Sequence, residues 1–212
     1  TFVVTGSVGS ALRRVGHNET DGILPTIFAL TNVKLRHLDA DTFSEMGEYL
    51  LMLDLSENML DFLEPALFRG LNKVTSINLS LNRFQRVPAD ALAPLTQLHV
   101  LKLLGNRLVS INPSDIVSLR SLTTLDISHN RLTDLPLAIF RPLHQLQSLY
   151  VAVNNFTCDC RMAWLRTFAS SCLCVFSFDK CSSPPQTTNS TVDDFDTSHC
   201  DLIPLKSCDD KR

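Results

Sequence analysis

Residues 98–121 read LHVLKLLGNRLVSINPSDIVSLRS and residues 122–145 read LTTLDISHNRLTDLPLAIFRPLHQ, two adjoining segments with apolar residues and an asparagine at the same offsets. The first places Leu98, Leu101, Leu103, Asn106, Leu108, Ile111, Ile116 and Leu119, and the second Leu122, Leu125, Ile127, Asn130, Leu132, Leu135, Phe140 and Leu143. The offsets extend backward through Val74, Ile77, Leu79, Asn82, Phe84, Val87, Leu92 and Leu95, and before that through Leu50, Leu53, Leu55, Asn58, Leu60, Leu63, Phe68 and Leu71. Forward, a fifth copy opens with Leu146, Leu149, Val151, Asn154 and Phe156 and then meets Cys158. A degenerate copy through Phe28, Leu30, Leu35, Leu38 and Phe43 has Val33 where the asparagine belongs and lies one residue further from its successor. Self-similarity at a period of about 24 residues marks a stacked array of supersecondary units.

Each L-x-L segment is too short to stand as a strand alone, and each unit leaves an apolar side that it cannot cover. Stacking solves both problems: the segments pair in parallel, their leucines share one core, and the phenylalanine column fills the other side. The asparagine column, Asn58, Asn82, Asn106, Asn130 and Asn154, has a backbone role, because an amide buried at a turn needs main-chain partners. The pattern resembles the leucine-rich repeat. It implies an α/β solenoid, a curved horseshoe with a parallel concave β-sheet.

The chain of 212 residues is 44% hydrophobic with a net charge of -3, so it can bury a core and shows no basic excess for nucleic acid or an anionic membrane. No nucleic-acid partner is expected. All seven cysteines fall between Cys158 and Cys208. Beside them lie N-x-[ST] sequons at Asn18, Asn78, Asn155 and Asn189, a combination that favours an oxidising, extracellular compartment. No stretch is long and apolar enough to span a bilayer, and no signal segment opens the chain, which reads as a processed or trimmed ectodomain, secreted or anchored at the cell surface through a segment not present here.

From Asn154 to Phe168 the sequence runs NNFTCDCRMAWLRTF, followed by Cys181-Ser-Ser-Pro-Pro185 and by Cys200 after a Thr/Asp-rich loop. This resembles the cysteine-rich C-terminal cap of extracellular leucine-rich-repeat proteins. The resemblance implies disulfides Cys158–Cys181 and Cys160–Cys200, with a short helix presenting Trp164, Leu165 and Phe168 as a lid. A zinc site on Cys158-x-Cys160 and Cys172-x-Cys174 is disfavoured by C-x-C spacing and by the compartment, so no metal or cofactor is expected. Of Cys172, Cys174 and Cys208 one thiol is left over, and an intermolecular disulfide that would link an oligomer is open to it. The expected organisation is an N-terminal cap over 1–25, repeats over 26–155, the cysteine-rich cap over 156–208 and a tail over 209–212. The first cap lacks cysteines and reads as a small hairpin around Phe2-Val3-Val4 and Leu12 to Val15, with the turn at Gly6 to Gly9.

Outward positions beside the core leucines nominate a ligand-binding face. A central column runs Ala29, Asp54, Asn78, Lys102, Asp126, Tyr150; the next runs Thr31, Ser56, Ser80, Leu104, Ser128, Ala152; beyond lie Asn32, Glu57, Leu81, Gly105, His129 and Val153. Six strands give a face about 25–30 Å wide. The ligand-binding candidates are Asp54, Lys102, Leu104, Asp126, His129, Tyr150 and Val153, with Tyr150 the best single anchor. A glycan on Asn78 would obstruct the middle of the face and shift recognition toward the C-terminal half and the loop between Cys181 and Cys200. Arg83, Arg107 and Arg131 form a ladder along one edge; solvated consensus residues explain it first, and phosphates or sulfated sugars second.

Catalysis is not expected: the histidines are scattered, and neither H-E-x-x-H nor G-x-S-x-G occurs. The even copies and short array resemble variable lymphocyte receptors and Toll-like receptor ectodomains. That resemblance implies immune recognition of microbial surface components, polysaccharide or lipopolysaccharide, or of protein antigens. Neuronal adhesion receptors, axon-guidance ligands and platelet glycoproteins share the same parts, so a cell-adhesion or guidance module and a matrix structural protein stand as alternatives.

Overall fold

The computed structural model describes residues 26–182 apart from 48, 167 and 169–174, together with the strand Phe2–Val3. Eight short strands form one parallel sheet in chain order. They are β1 (Phe2–Val3), β2 (Ile27–Ala29), β3 (Met52–Asp54), β4 (Ser76–Asn78), β5 (Val100–Lys102), β6 (Thr124–Asp126), β7 (Ser148–Tyr150) and β8 (Val175–Ser177). From β3 to β7 the register advances by the sequence period: Leu53 faces Ile77, Ile77 faces Leu101, and Leu101 faces Leu125. The expected α/β solenoid with a parallel sheet is therefore the fold.

Each strand is held just past its end by a rung of the same form. Leu55 N donates to Asn78 O at 2.8 Å, Leu79 N to Lys102 O at 2.8 Å, Leu103 N to Asp126 O at 2.7 Å and Ile127 N to Tyr150 O at 2.9 Å. The middle residue of each repeat strand, with the leucine, isoleucine or valine two positions on, points into the core and is essentially inaccessible from Leu53 to Val151. Each such side chain contributes about 1.5–3 kcal/mol by leaving water. The return halves are short helical turns at Ser44–Met46, Ala89–Leu92, Pro113–Ile116 and Leu137–Ile139. Pro113 opens its turn, where no backbone donor is needed, and Asp115 Oδ2 accepts from Asn112 N at 2.8 Å.

The asparagines do what their burial requires. Asn106 Nδ2 donates to Leu79 O at 3.0 Å in the preceding repeat and to Leu103 O at 3.1 Å in its own, while its Oδ1 accepts from Phe84 N at 3.1 Å. Asn82, Asn130 and Asn154 repeat the arrangement. Where Val33 replaces the first asparagine, Asn58 Oδ1 serves both Val33 N, at 3.1 Å, and Leu35 N, at 3.0 Å. The degenerate copy is thus tied in by its neighbour, and its extra residue shows in the pairing of Phe28 with Leu53.

The C-terminal segment differs from the expected lid in one respect. Besides its helical turn it supplies β8, whose Phe176 pairs with Leu149 and whose Ser177 O accepts from Val151 N at 2.8 Å, as a further repeat would do. Trp164 stands one period after Phe140 and takes the place of the repeat's phenylalanine, its ring 5.4 Å from that of Phe140, with Phe168 at 5.3 Å from both. Leu165 and Phe168 are buried with it. The end of the solenoid is therefore closed by an imitation of a repeat rather than by a separate plug. The Cys158–Cys181 disulfide fixes it, with Cα atoms 5.6 Å apart. Cys160 is also disulfide-bonded; Cys200, assigned to it by resemblance, lies outside the described residues, as do Cys172, Cys174 and Cys208. At the other end β1 pairs parallel with β2, and the remainder of the expected hairpin lies outside the described residues.

Candidate binding face

A three-residue strand with its middle side chain buried presents the two flanking ones on the opposite surface. Parallel register stacks these into two outward columns. One is the expected row Ala29, Asp54, Asn78, Lys102, Asp126 and Tyr150, continued by Ser177. The other, Ile27, Met52, Ser76, Val100, Thr124, Ser148 and Val175, was missed by the sequence reading. Alternation about the buried leucines is the signal that would have found it. This column and the position before it carry apolar exposure: Leu51, Met52 and Val175 are 40%, 43% and 42% exposed. Eight strands make the face about 34 Å long, wider than six would.

Of the nominated residues, Asp54, Lys102, Asp126 and Tyr150 share one row across the sheet. Lys102 is exposed, and among the described residues it has no ion pair. Asp54 and Asp126 are half-buried and largely occupied with their own turns. Asp54 Oδ1 accepts from Ser56 N at 2.9 Å and from Ser56 Oγ at 2.6 Å, and its Oδ2 accepts from Asn78 Nδ2 at 3.1 Å. Asp126 Oδ1 accepts from Ser128 N at 3.1 Å and from Ser128 Oγ. Tyr150 is half-buried between the rows of Asp126 and Ser177, so it is interior to the face rather than at its end.

Leu104, His129 and Val153 fall outside this row, on the turn that leaves the sheet. Here the second outward column expected from the sequence needs correcting: Ser56, Ser80 and Ser128 are buried, at 7%, 5% and 7% exposure, the hydroxyls of Ser56 and Ser128 bonded within their turns and that of Ser80 without a partner among the described residues. The third column has a backbone signature that the sequence did not disclose. Asn32, Glu57, Leu81, His129 and Val153 all adopt φ between 51° and 58°, and Gly105 adopts 67°. Asparagine and glycine tolerate this left-handed region, whereas leucine and β-branched valine are strained there. At Gly105 a Cβ would lie 2.5 Å from Leu81 Cδ2, so a larger residue there would displace the exposed tip of Leu81.

Asn78 has both ends of its amide engaged, Nδ2 with Asp54 and Oδ1 with Ser80 N at 3.1 Å, while Asn155 is exposed. Asn18 and Asn189 lie outside the described residues. Ser128, next to His129 in sequence, is buried with its hydroxyl given to Asp126, and it makes no hydrogen bond with His129. No helix among the described residues is long and apolar enough to cross a membrane, and the disulfides are consistent with an extracellular setting.

No curated protein matches the chain. Among solved structures it is similar to a chain of the octameric complex of Latrophilin 3 (Lec, Olf), Unc5D (Ig, Ig2, TSP1) and FLRT2 (LRR), with a TM-score of 0.72 and 24% identity over 81% of this chain. It is also similar to the leucine-rich-repeat protein LIC12759 of Leptospira interrogans, with a TM-score of 0.58 and 28% identity over 70% of this chain. The chain spans 53% of the first and 36% of the second. The leucine rich repeat model matches residues 26–84, 72–132 and 96–156, which together cover more than half of the sequence and coincide with the in-register strands β2 to β7. On that match the chain belongs to the leucine-rich repeat family.

Proposed function

We propose that the chain is an extracellular recognition module that binds a protein partner on the concave face, in cell adhesion or guidance. The observation that carries this reading is the composition of the two outward columns. Exposed Met52 and Val175 stand in one, charged Lys102 and aromatic Tyr150 in the other. Methionine and tyrosine are enriched at protein interfaces, and exposed Leu51 and Met52 toward one end of the face and Val175 at the other give it apolar contact area on either side of the charged Lys102. A polysaccharide site would favour a row of aromatic platforms, and in these two columns Tyr150 is the one aromatic residue. The face, about 34 Å long, is the right order of size for one side of a standard protein interface. The FLRT2 (LRR) complex, a multiprotein assembly, adds a fold-level analogy to this reading.

A binding screen of the purified chain against extracellular proteins, live bacteria, lipopolysaccharide and collagen tests it. The expected result is saturable binding to a host surface protein that falls at least about tenfold in Lys102→Glu and in Tyr150→Ala. Saturable binding to bacteria or lipopolysaccharide with the same loss would replace this reading by the immune one that the resemblance to variable lymphocyte receptors implies. Collagen binding alone would make the chain a matrix component. Binding indifferent to both substitutions would remove the concave face from the argument.

A further inference from the structure

Arg83, Arg107 and Arg131 follow the repeat asparagines, and the backbone locks them in register. Arg83 N donates to Leu60 O at 2.7 Å, Arg107 N to Phe84 O at 2.9 Å and Arg131 N to Leu108 O at 2.9 Å. Consecutive arginines are therefore one strand spacing apart, and the three span about 10 Å along the solenoid. Like charges stacked one strand apart repel, and a natural sheet offsets this with acidic neighbours. Beside these three rungs themselves there are none; Glu57 and Asp61 lie one rung before Arg83, and Asp134 three residues after Arg131. Flanking positions on the same edge hold Leu81, Gln85, Gly105, Val109, His129 and Thr133. Among the described residues none of the three guanidinium groups has an ion pair or a side-chain hydrogen bond, and Arg107 and Arg131 are exposed. Arg86, exposed and without an ion pair, lines a cleft with Asp61, Asp90 and Asp115 and so stands apart from the ladder. A chain of net charge -3 thus holds three arginines in register, without ion pairs, on one edge of its middle repeats.

We infer that this edge binds a linear sulfated polysaccharide lying along the solenoid axis. The planar guanidinium pairs bidentately with sulfate oxygens as with phosphate, and a regular ladder suits a polymer carrying charge at regular intervals better than a single small anion. A sulfated glycan, not a nucleic acid, is the polyanion met in the oxidising extracellular space that the disulfides indicate. The ladder lies beyond the asparagine turn, off the concave columns, so its occupancy leaves that face free for a protein. This inference does not depend on what the concave face binds.

The test is calorimetric titration of the full chain with a heparin octasaccharide, with the same octasaccharide chemically desulfated, and with single-stranded DNA. The substitutions are Arg83→Gln, Arg107→Gln and Arg131→Gln, singly and together, and Arg120→Gln, an exposed arginine off the ladder, is the control. Each single change is expected to lower heparin affinity about three- to tenfold and the triple variant to abolish binding at physiological salt, with a shallower salt dependence than the parent. Arg107→Lys should lose less than Arg107→Gln. The melting temperature of the triple variant should stay level or rise, since a repulsion is removed. Heparin binding retained in the triple variant, equal loss in Arg120→Gln, or equal affinity for desulfated heparin or DNA would overturn the inference.

Discussion

Two columns run along the same sheet only four residues apart in every repeat, Asp54 to Tyr150 on the outward face and Asn58 to Asn154 at the turn. In the turn column the residue never changes, it is always buried, and its amide reaches both its own repeat and the one before. In the outward column every rung differs from its neighbours: aspartate, asparagine, lysine, aspartate, tyrosine. A side chain that satisfies two backbone segments at once has no room to vary. A side chain that only faces solvent can be spent on recognition.

That contrast can be broken at four places. Asn106→Ala leaves Phe84 N without its acceptor and takes one of two asparagine donors from Leu79 O and from Leu103 O, which keep Asn82 and Asn130, and should cost about 2 kcal/mol in urea unfolding. A loss below about 1 kcal/mol would mean that water repairs the turn and that the column is not structural. Val153→Asn places a residue tolerant of φ 55° where valine is strained, and should raise stability by up to about 1 kcal/mol. An unchanged or lower unfolding midpoint would show that the turn relaxes around valine. Asn78→Asp sets a carboxylate against that of Asp54, for a loss of about 0.5 kcal/mol. Adding Asp54→Asn should restore the parent stability, and additivity of the two changes would refute the contact. Lys102→Ala should leave the midpoint within about 0.5 kcal/mol of the parent while weakening partner binding; a larger destabilisation would move Lys102 from the recognition column to the structural one.

Much of this was legible beforehand because a parallel stack in register converts sequence period directly into spatial column. Asp54, Lys102, Asp126 and Tyr150 could be placed in one row from their offsets to Leu53, Leu101, Leu125 and Leu149 alone. The same logic gave the buried asparagines their backbone role. It failed where an outward position is claimed by local hydrogen bonding: Ser56 and Ser128 share the offset of Leu104, yet both are buried with their hydroxyls given to Asp54 and Asp126. It also failed where the period changes, for Phe176 lies 27 residues beyond Leu149 and carries no repeat signature.

The sequence by itself determined the solenoid, its core and the order of residues along its face, because burying one leucine per strand in a shared core permits a single register. Only the tertiary structure decided which outward residues remain free. The left-handed turn at Glu57, Leu81, His129 and Val153, the capture of two aspartates by their serines, and the entry of β8 as a closing rung each depend on backbone direction and unpaired main-chain groups. Those groups are fixed when neighbouring coils meet, not within one coil alone.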